Sequence, residues 1–182
     1  MGKSIRDSGG QDARRDGLRK PVKEEVGRRT DAQTQAAKGD IKELHKLNRT
    51  LLALSKSSQA MIRWQEDEQA YLDTICKIIV EDCGHQMVWI GYTEDDEAKT
   101  VRPVAYSGFE EGYIETLKIT WADTEHGRGP TGTAIRTGKV SVCKNMLTDP
   151  KFAPWRKEAK KRGYASSIVF PLKDVYKTFG SL

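Results

Sequence analysis

Apolar positions along the chain change their spacing several times, and each change marks an element. Up to Asp40 there are almost none: after Met1 the large apolar side chains are Ile5, Leu18, Val22 and Val26, and no residue is aromatic. Such a segment cannot bury enough surface to offset its ordering entropy. Residues 1–40 are therefore expected to be disordered or weakly helical. From Ile41 the spacing is helical. Leu44, Leu47, Leu51, Leu54, Ser58 and Met61 follow at steps of 3, 4, 3, 4 and 3, a heptad seam with one polar position. Asp40 reads as its N-cap, with Glu43 completing a capping box. The stripe over residues 41–64 suits either a helix lying on its own domain or a parallel two-stranded coiled coil.

Polar residues at Gln65–Gln69 interrupt the seam. Tyr71, Leu72, Ile75, Ile78 and Ile79 then resume helical spacing, and Gly84 is a good stop. A second helix is expected over Glu68–Cys83. Met87–Thr93 and Thr100–Tyr106 are apolar, β-branched and aromatic, and flank an acidic turn. They read as an antiparallel hairpin, with Pro103 at an edge or a bulge. Glu110–Leu117 reads as a short helix and Ile119–Ala122 as a short strand. In the glycine-rich stretch His126–Gly138, Pro130 suits a first helical position and Gly138 the residue past the end. Val140–Lys144 reads as a strand, Phe152–Arg162 as a basic helix and Ala165–Leu172 as a strong strand. Phe179–Leu182 reads as the start of another. The mixture, opening with a hairpin, is α+β with an antiparallel sheet.

Composition narrows the function. Hydrophobic residues are 37% and charged residues 31% of 182, in line with one domain and an appendage. The longest apolar runs, Met87–Ile90 and Ile168–Leu172, fall far short of a membrane span. The N-terminus lacks the apolar centre of a secretory signal. The net charge of +5 is spread among both signs, unlike a nucleic-acid-binding stripe. Cys76, Cys83 and Cys143 form no CxxC pair, and His45, His85 and His126 show no metal-binding spacing. A cytoplasmic protein without membrane insertion or nucleic-acid binding is expected.

The segments YLDTICKIIVEDCG, MVWIGYTED, VRPVAYSG, GRGPTGTAIRTGK, VSVCKNMLTDP and RGYASSIVFPL, in that order and spacing, resemble a GAF domain. LNRTLLALSKSSQAMIR resembles the helix that joins a PAS domain to such a domain in sensor histidine kinases. The resemblance implies a GAF-like central antiparallel sheet of about six strands between helices, over residues 65–182. It also implies a ligand pocket on one sheet face, covered by the segments around Arg128–Arg136 and Phe152–Arg162. It implies a regulatory module that binds a small molecule or dimerises through residues 41–61, working with the other domains of a two-component sensor kinase. The last strand and the helix that usually follows it are expected to be incomplete, and no kinase catalytic segment is present.

Seen against that pocket, several residues carry candidate chemistry. The loop Gly127–Gly132 precedes a helix, and a helix start attracts anions. Arg128 would add a charge-assisted bond, with Thr131 and Thr133 beside it. The bland alternative is a loop whose glycines allow close packing. Trp121 and Trp155 flank the covering segments and suit a flat ligand. Ser166 and Ser167 point to opposite faces of their strand, and Cys143 lies beside the pocket. Haem would need an axial ligand, for which His126 is the first candidate ahead of His85. Lys151, Arg156, Lys157, Lys160, Lys161 and Arg162 form a positive patch on a solvated outer face. No catalytic residue is expected. A thiol-dependent methionine sulfoxide reductase is the enzymatic alternative, although Cys76 and Cys83 stand too far apart for a resolving pair.

Overall fold

The computed structural model describes the backbone of residues 12–63, 67–108 and 112–182, and the side chains of those residues other than 12–24, 26 and 115. The expected polar break at Gln65 and the acidic helix start at Glu110 lie outside the described residues. Helix α1 spans Asp12–Arg63. It passes straight through Asp40 and Glu43, so the expected capping box is interior helix. Ala, Gln, Lys, Arg and Glu dominate this stretch and are strong helix formers. An i,i+4 ion pair, Arg29 to Glu25 at 3.0 Å, adds to them.

The chain divides into two units, Met1–Asn48 and Arg49–Leu182. The first is described only as helix, with Ile41, Leu44 and Leu47 exposed. In the second, the last turns of α1 lie against the end of α2 (Glu68–Glu81). Ala53 is buried, Arg49 Nε donates to the Asp82 carbonyl at 2.8 Å, and Lys56 Nζ meets the Asp82 carboxylate at 2.7 Å. That contact uses the face holding residues 49, 53 and 56. It leaves Leu51, Leu54 and Met61 at 56%, 59% and 57% exposure. No described helix is long and apolar enough to cross a membrane.

Asp67 caps α2, its carboxylate accepting from the Ala70 N–H. Leu72 and Cys76 on this helix are buried with Ile90 and Ala105 of the sheet. Strand β1 (Met87–Thr93) pairs antiparallel with β2 (Val101–Gly108) along its whole length, with an irregularity at Ile90/Gly91 opposite Pro103. Strand β3 (Ser141–Cys143) pairs with β4 (Ser167–Val169), and β5 (Pro171–Lys173) with β6 (Thr178–Ser181). Strand β6 also reaches β1, at Gly91 and Tyr92. The six strands thus form a four-stranded sheet, β2-β1-β6-β5, and a separate pair, β3-β4.

The expected strand Ala165–Leu172 divides its partners: Ser167–Val169 pair with β3, whereas Phe170 exchanges two backbone hydrogen bonds with Leu182, at 2.7 and 2.9 Å, in register with the β5–β6 pairing. The segment Ile119–Ala122 makes only an isolated bridge, Thr100 to Thr120. Opposite α2, a second core holds Tyr113, Cys143, Met146, Phe152, Trp155 and Tyr164, with Met87 and Trp89 packed on it. Helices α3 (Tyr113–Thr116), α4 (Pro130–Thr137) and α5 (Arg156–Lys161) belong to this side. A 3-10 turn, Pro150–Trp155, leads into α5. Phe152, Trp155 and Ala159 face inward as their spacing suggested. Arg162 does not join the solvated patch: it is 6% exposed, pairs with Glu158 and lies 5.2 Å from the Tyr113 ring centroid.

Close backbone approach decides one position sharply. A Cβ on Gly132 would stand 2.1 Å from the Gly127 carbonyl oxygen and 2.7 Å from that of Thr120. Gly132→Ala should destabilise the domain by about 1–3 kcal/mol. Gly27→Ala, with nothing near its Cβ, should stabilise α1 by about 0.5–1 kcal/mol. Urea unfolding monitored at the tryptophans reads the first, and helical circular dichroism the second.

Candidate functional site

The glycine-rich stretch builds a wall of the site. Gly129 precedes α4 in extended conformation, Pro130 occupies the first turn, and Gly138 closes the helix at φ 61°. A Cβ on Gly129 would fall 2.3 Å from the Trp155 ring, so this glycine lets α4 press on the aromatic core. Arg136 fastens the loop. Its Nη1 donates to the carbonyls of Trp121 and Ala122 at 3.0 Å and of Gly127 at 2.6 Å. No sequence pattern marks this clamp, because its acceptors are main-chain atoms 9 to 15 residues away.

Behind this wall lies a cavity of about 780 Å³. Tyr113, Phe152 and Trp155 form its aromatic side. Thr131, Ser166, Ser167 and His126 supply polar atoms, and Lys144 and His85 stand at the lining. Ser167 lies on β4 opposite Cys143. Its Oγ is buried without a hydrogen-bond partner, a state that costs about 1–3 kcal/mol. The lining also reaches Ile79 and Cys83, which belong to the α2 side of the sheet.

Of the residues singled out from the sequence, Thr131, Trp155, Ser166, Ser167 and His126 come together here. Four others are engaged elsewhere. Arg128 turns to Asp123 at 2.9 Å and is exposed. Thr133 donates to the Arg128 carbonyl. The Trp121 indole donates to the Glu94 carbonyl at 3.3 Å, and Lys99 Nζ sits 4.7 Å from its ring centroid. Cys143 is 1% exposed in the core, where burial, then the nearby Asp149, push its thiol pKa up. Tyr113 and Phe152 were not foreseen as lining residues, since apolar spacing marks burial but not the presence of a void.

The lining does not fit haem. His126 and His85 are both exposed, and His126 meets Trp155 edge-on at 6.1 Å. Axial ligation requires an imidazole held inside an apolar slot. Among the described residues no cluster of His, Cys, Asp and Glu could hold a metal ion. What the arrangement can do is enclose a compact molecule between aromatic rings and fix it by a few hydrogen bonds.

The GAF domain A. aeolicus nlh2, in an inactive state, superposes with a TM-score of 0.56 at 16% identity, covering 76% of this chain and 77% of that one. The GAF domain of a phosphoenolpyruvate-protein phosphotransferase from Coxiella burnetii gives 0.54 at 12% identity, covering 71% and 74%. A free methionine-R-sulfoxide reductase from Neisseria meningitidis, in complex with its substrate, gives 0.52 at 20% identity, covering 72% and 71%. No curated protein matches by sequence. The family model for the GAF domain matches residues 65–182, the whole of the sheet and both cores, and the chain belongs to the GAF domain family.

Proposed function

We propose that this chain is a sensory module that binds a small, largely uncharged molecule in the cavity and passes the effect to a partner copy through α1, as the input part of a two-component sensor histidine kinase. The GAF fold is a regulatory one, which agrees with a non-enzymatic chain. The observation that carries the reading is the buried Ser167 hydroxyl, left without a partner at the wall of an aromatic-lined cavity. A ligand polar atom there would recover that cost and gain the aromatic contact. A ligand shifts an equilibrium only by its difference in affinity for the two states. The output side is the stripe Leu44, Leu47, Leu51, Leu54 and Met61, exposed while another face of α1 meets α2. A heptad stripe of this kind pairs with a second copy of itself.

Three measurements check the reading. A thermal-shift screen of neutral, amino-acid-sized and heterocyclic metabolites should give a stabilising compound, about 2.7 kcal/mol at one hundred times its Kd. Ser167→Val should lose that shift without lowering the stability of the free chain. A screen without hits, or a hit indifferent to Ser167→Val and Trp155→Ala, contradicts the cavity assignment.

Sedimentation equilibrium should show a dimer. Leu47→Lys with Leu54→Lys should convert it to monomer, since each buried leucine contributes about 1.5–3 kcal/mol. A wild-type monomer at every concentration contradicts the output side.

Thiol labelling separates the enzymatic alternative. Cys76 is buried, its pKa pushed up to about 12 by desolvation and then by Asp73; Cys143 is raised in the same direction, and Cys83 is exposed. The native chain should label at Cys83 alone and form no disulfide on mild oxidation. A disulfide coupled to reduction of free methionine sulfoxide would establish the enzyme instead.

A further inference from the structure

Two hairpin turns stand side by side at one end of the four-stranded sheet. The order β2-β1-β6-β5 sets the turn after β1 next to the turn between β5 and β6. Thr93 Oγ1 donates to the Phe179 carbonyl at 3.2 Å where the two hairpins meet. With strands ~4.8 Å apart, the two turns lie about 10 Å from each other. Their chemistry is opposite. The first carries Glu94, Asp95, Asp96 and Glu97. Arg102 pairs with Glu94 and Lys99 sits over the Trp121 ring, so Asp95, Asp96 and Glu97 leave this turn acidic. The second turn is basic. Lys173 and Lys177 flank it, and its one acid, Asp174, accepts from the Tyr176 and Lys177 N–H groups at 2.7 Å. Lys173 Nζ donates to the Gly138 carbonyl at 3.0 Å, which brings exposed Lys139 alongside. Between these lysines Val175 and Tyr176 are 92% and 94% exposed. Folding does not call for them, since a tight turn is better served by Gly, Asn or Asp.

We propose that this end of the sheet binds a second copy of the chain, head to head. A surface of one sign does not fit: an anion drawn to the lysines meets the acidic turn within about one screening length. A partner with both signs at the same spacing does fit, and a second copy carries them. A two-fold axis normal to the sheet, between the two turns, sets each lysine-flanked tip on the other copy's acidic turn. An axis in the sheet plane, across the strands, would set acid on acid and base on base. Val175 and Tyr176 then meet the Trp121 side of the other copy's acidic turn, where the half-buried indole donates to the Glu94 carbonyl. Two hairpin ends cover less than the about 1,200 Å² of a stable interface. The association is therefore weak, and it is separate from pairing through α1.

The test is sedimentation equilibrium at millimolar concentration on the 182-residue chain carrying Leu47→Lys and Leu54→Lys. These changes silence the α1 stripe, so the outcome does not depend on that pairing. This background should self-associate, and high salt should weaken the association. Val175→Ser with Tyr176→Ser should weaken it at least about tenfold. Both side chains lie in water, so the fold is unaffected. Charge reversal gives the sharper comparison. Lys139→Glu with Lys177→Glu makes both turns acidic and leaves the Lys173 hydrogen bond in place; Asp95→Lys with Glu97→Lys makes both turns basic. Each variant alone should stay monomeric. Their equimolar mixture should form a one-to-one dimer, in which both contacts are again opposite in sign. A background that stays monomeric, an association indifferent to the tip, or a mixture no stronger than its parts overturns the proposal. So does binding to phosphatidylserine vesicles without self-association, which would make an anionic lipid surface the occupant.

Discussion

A strand buried on both faces must find hydrogen-bond partners at both edges. Strand β1 pairs with β2 along one edge and with β6 on the other. The rest of the domain is arranged around this strand. Its alternating side chains separate the two cores, with Ile90 and Val88 toward α2, and Trp89 and Met87 toward the aromatic cluster. Where β6 pairs its second edge, the sheet is continuous from β2 to β5, and the cavity lies on the aromatic side, lined by Tyr113, Phe152 and Trp155.

The same economy of faces explains α1. Its turns near α2 are fixed by Arg49 and Lys56 on Asp82, with Ala53 small enough to let the helices approach. The ion pair is half in solvent, and such pairs contribute little on their own. Its value lies in orientation: within residues 49–63 the face that meets α2 holds Arg49, Ala53 and Lys56, and Leu51, Leu54 and Met61 are exposed.

Features with a local cause were legible in the sequence. Pro130 and Gly138 bracket α4 because each meets a backbone demand at that position. The hairpin β1–β2 was legible because its strands are adjacent in sequence, and Pro103 sits at the irregularity where a residue without an N–H is tolerated. Features with a distant cause were not. Whether β4 joins β6 depends on pairing between segments whose own sequences look like good strands. Arg162 reads as one more solvated base, yet Glu158 and the Tyr113 ring draw it inside. Asp40 has the chemistry of a cap, but the residues before it continue the helix. Within the site, Trp155 and Ser167 followed from the resemblance and the strand period, while Trp121 and Arg128 found partners on their own loop.

The measurement that bears most directly on this account is the change in backbone amide chemical shifts when a compound that stabilises the chain against heat is added. The account predicts shifts concentrated at the cavity wall, at Thr131, Trp155 and Ser167. Shifts confined to residues outside that lining, with Ser167 unmoved, would contradict it.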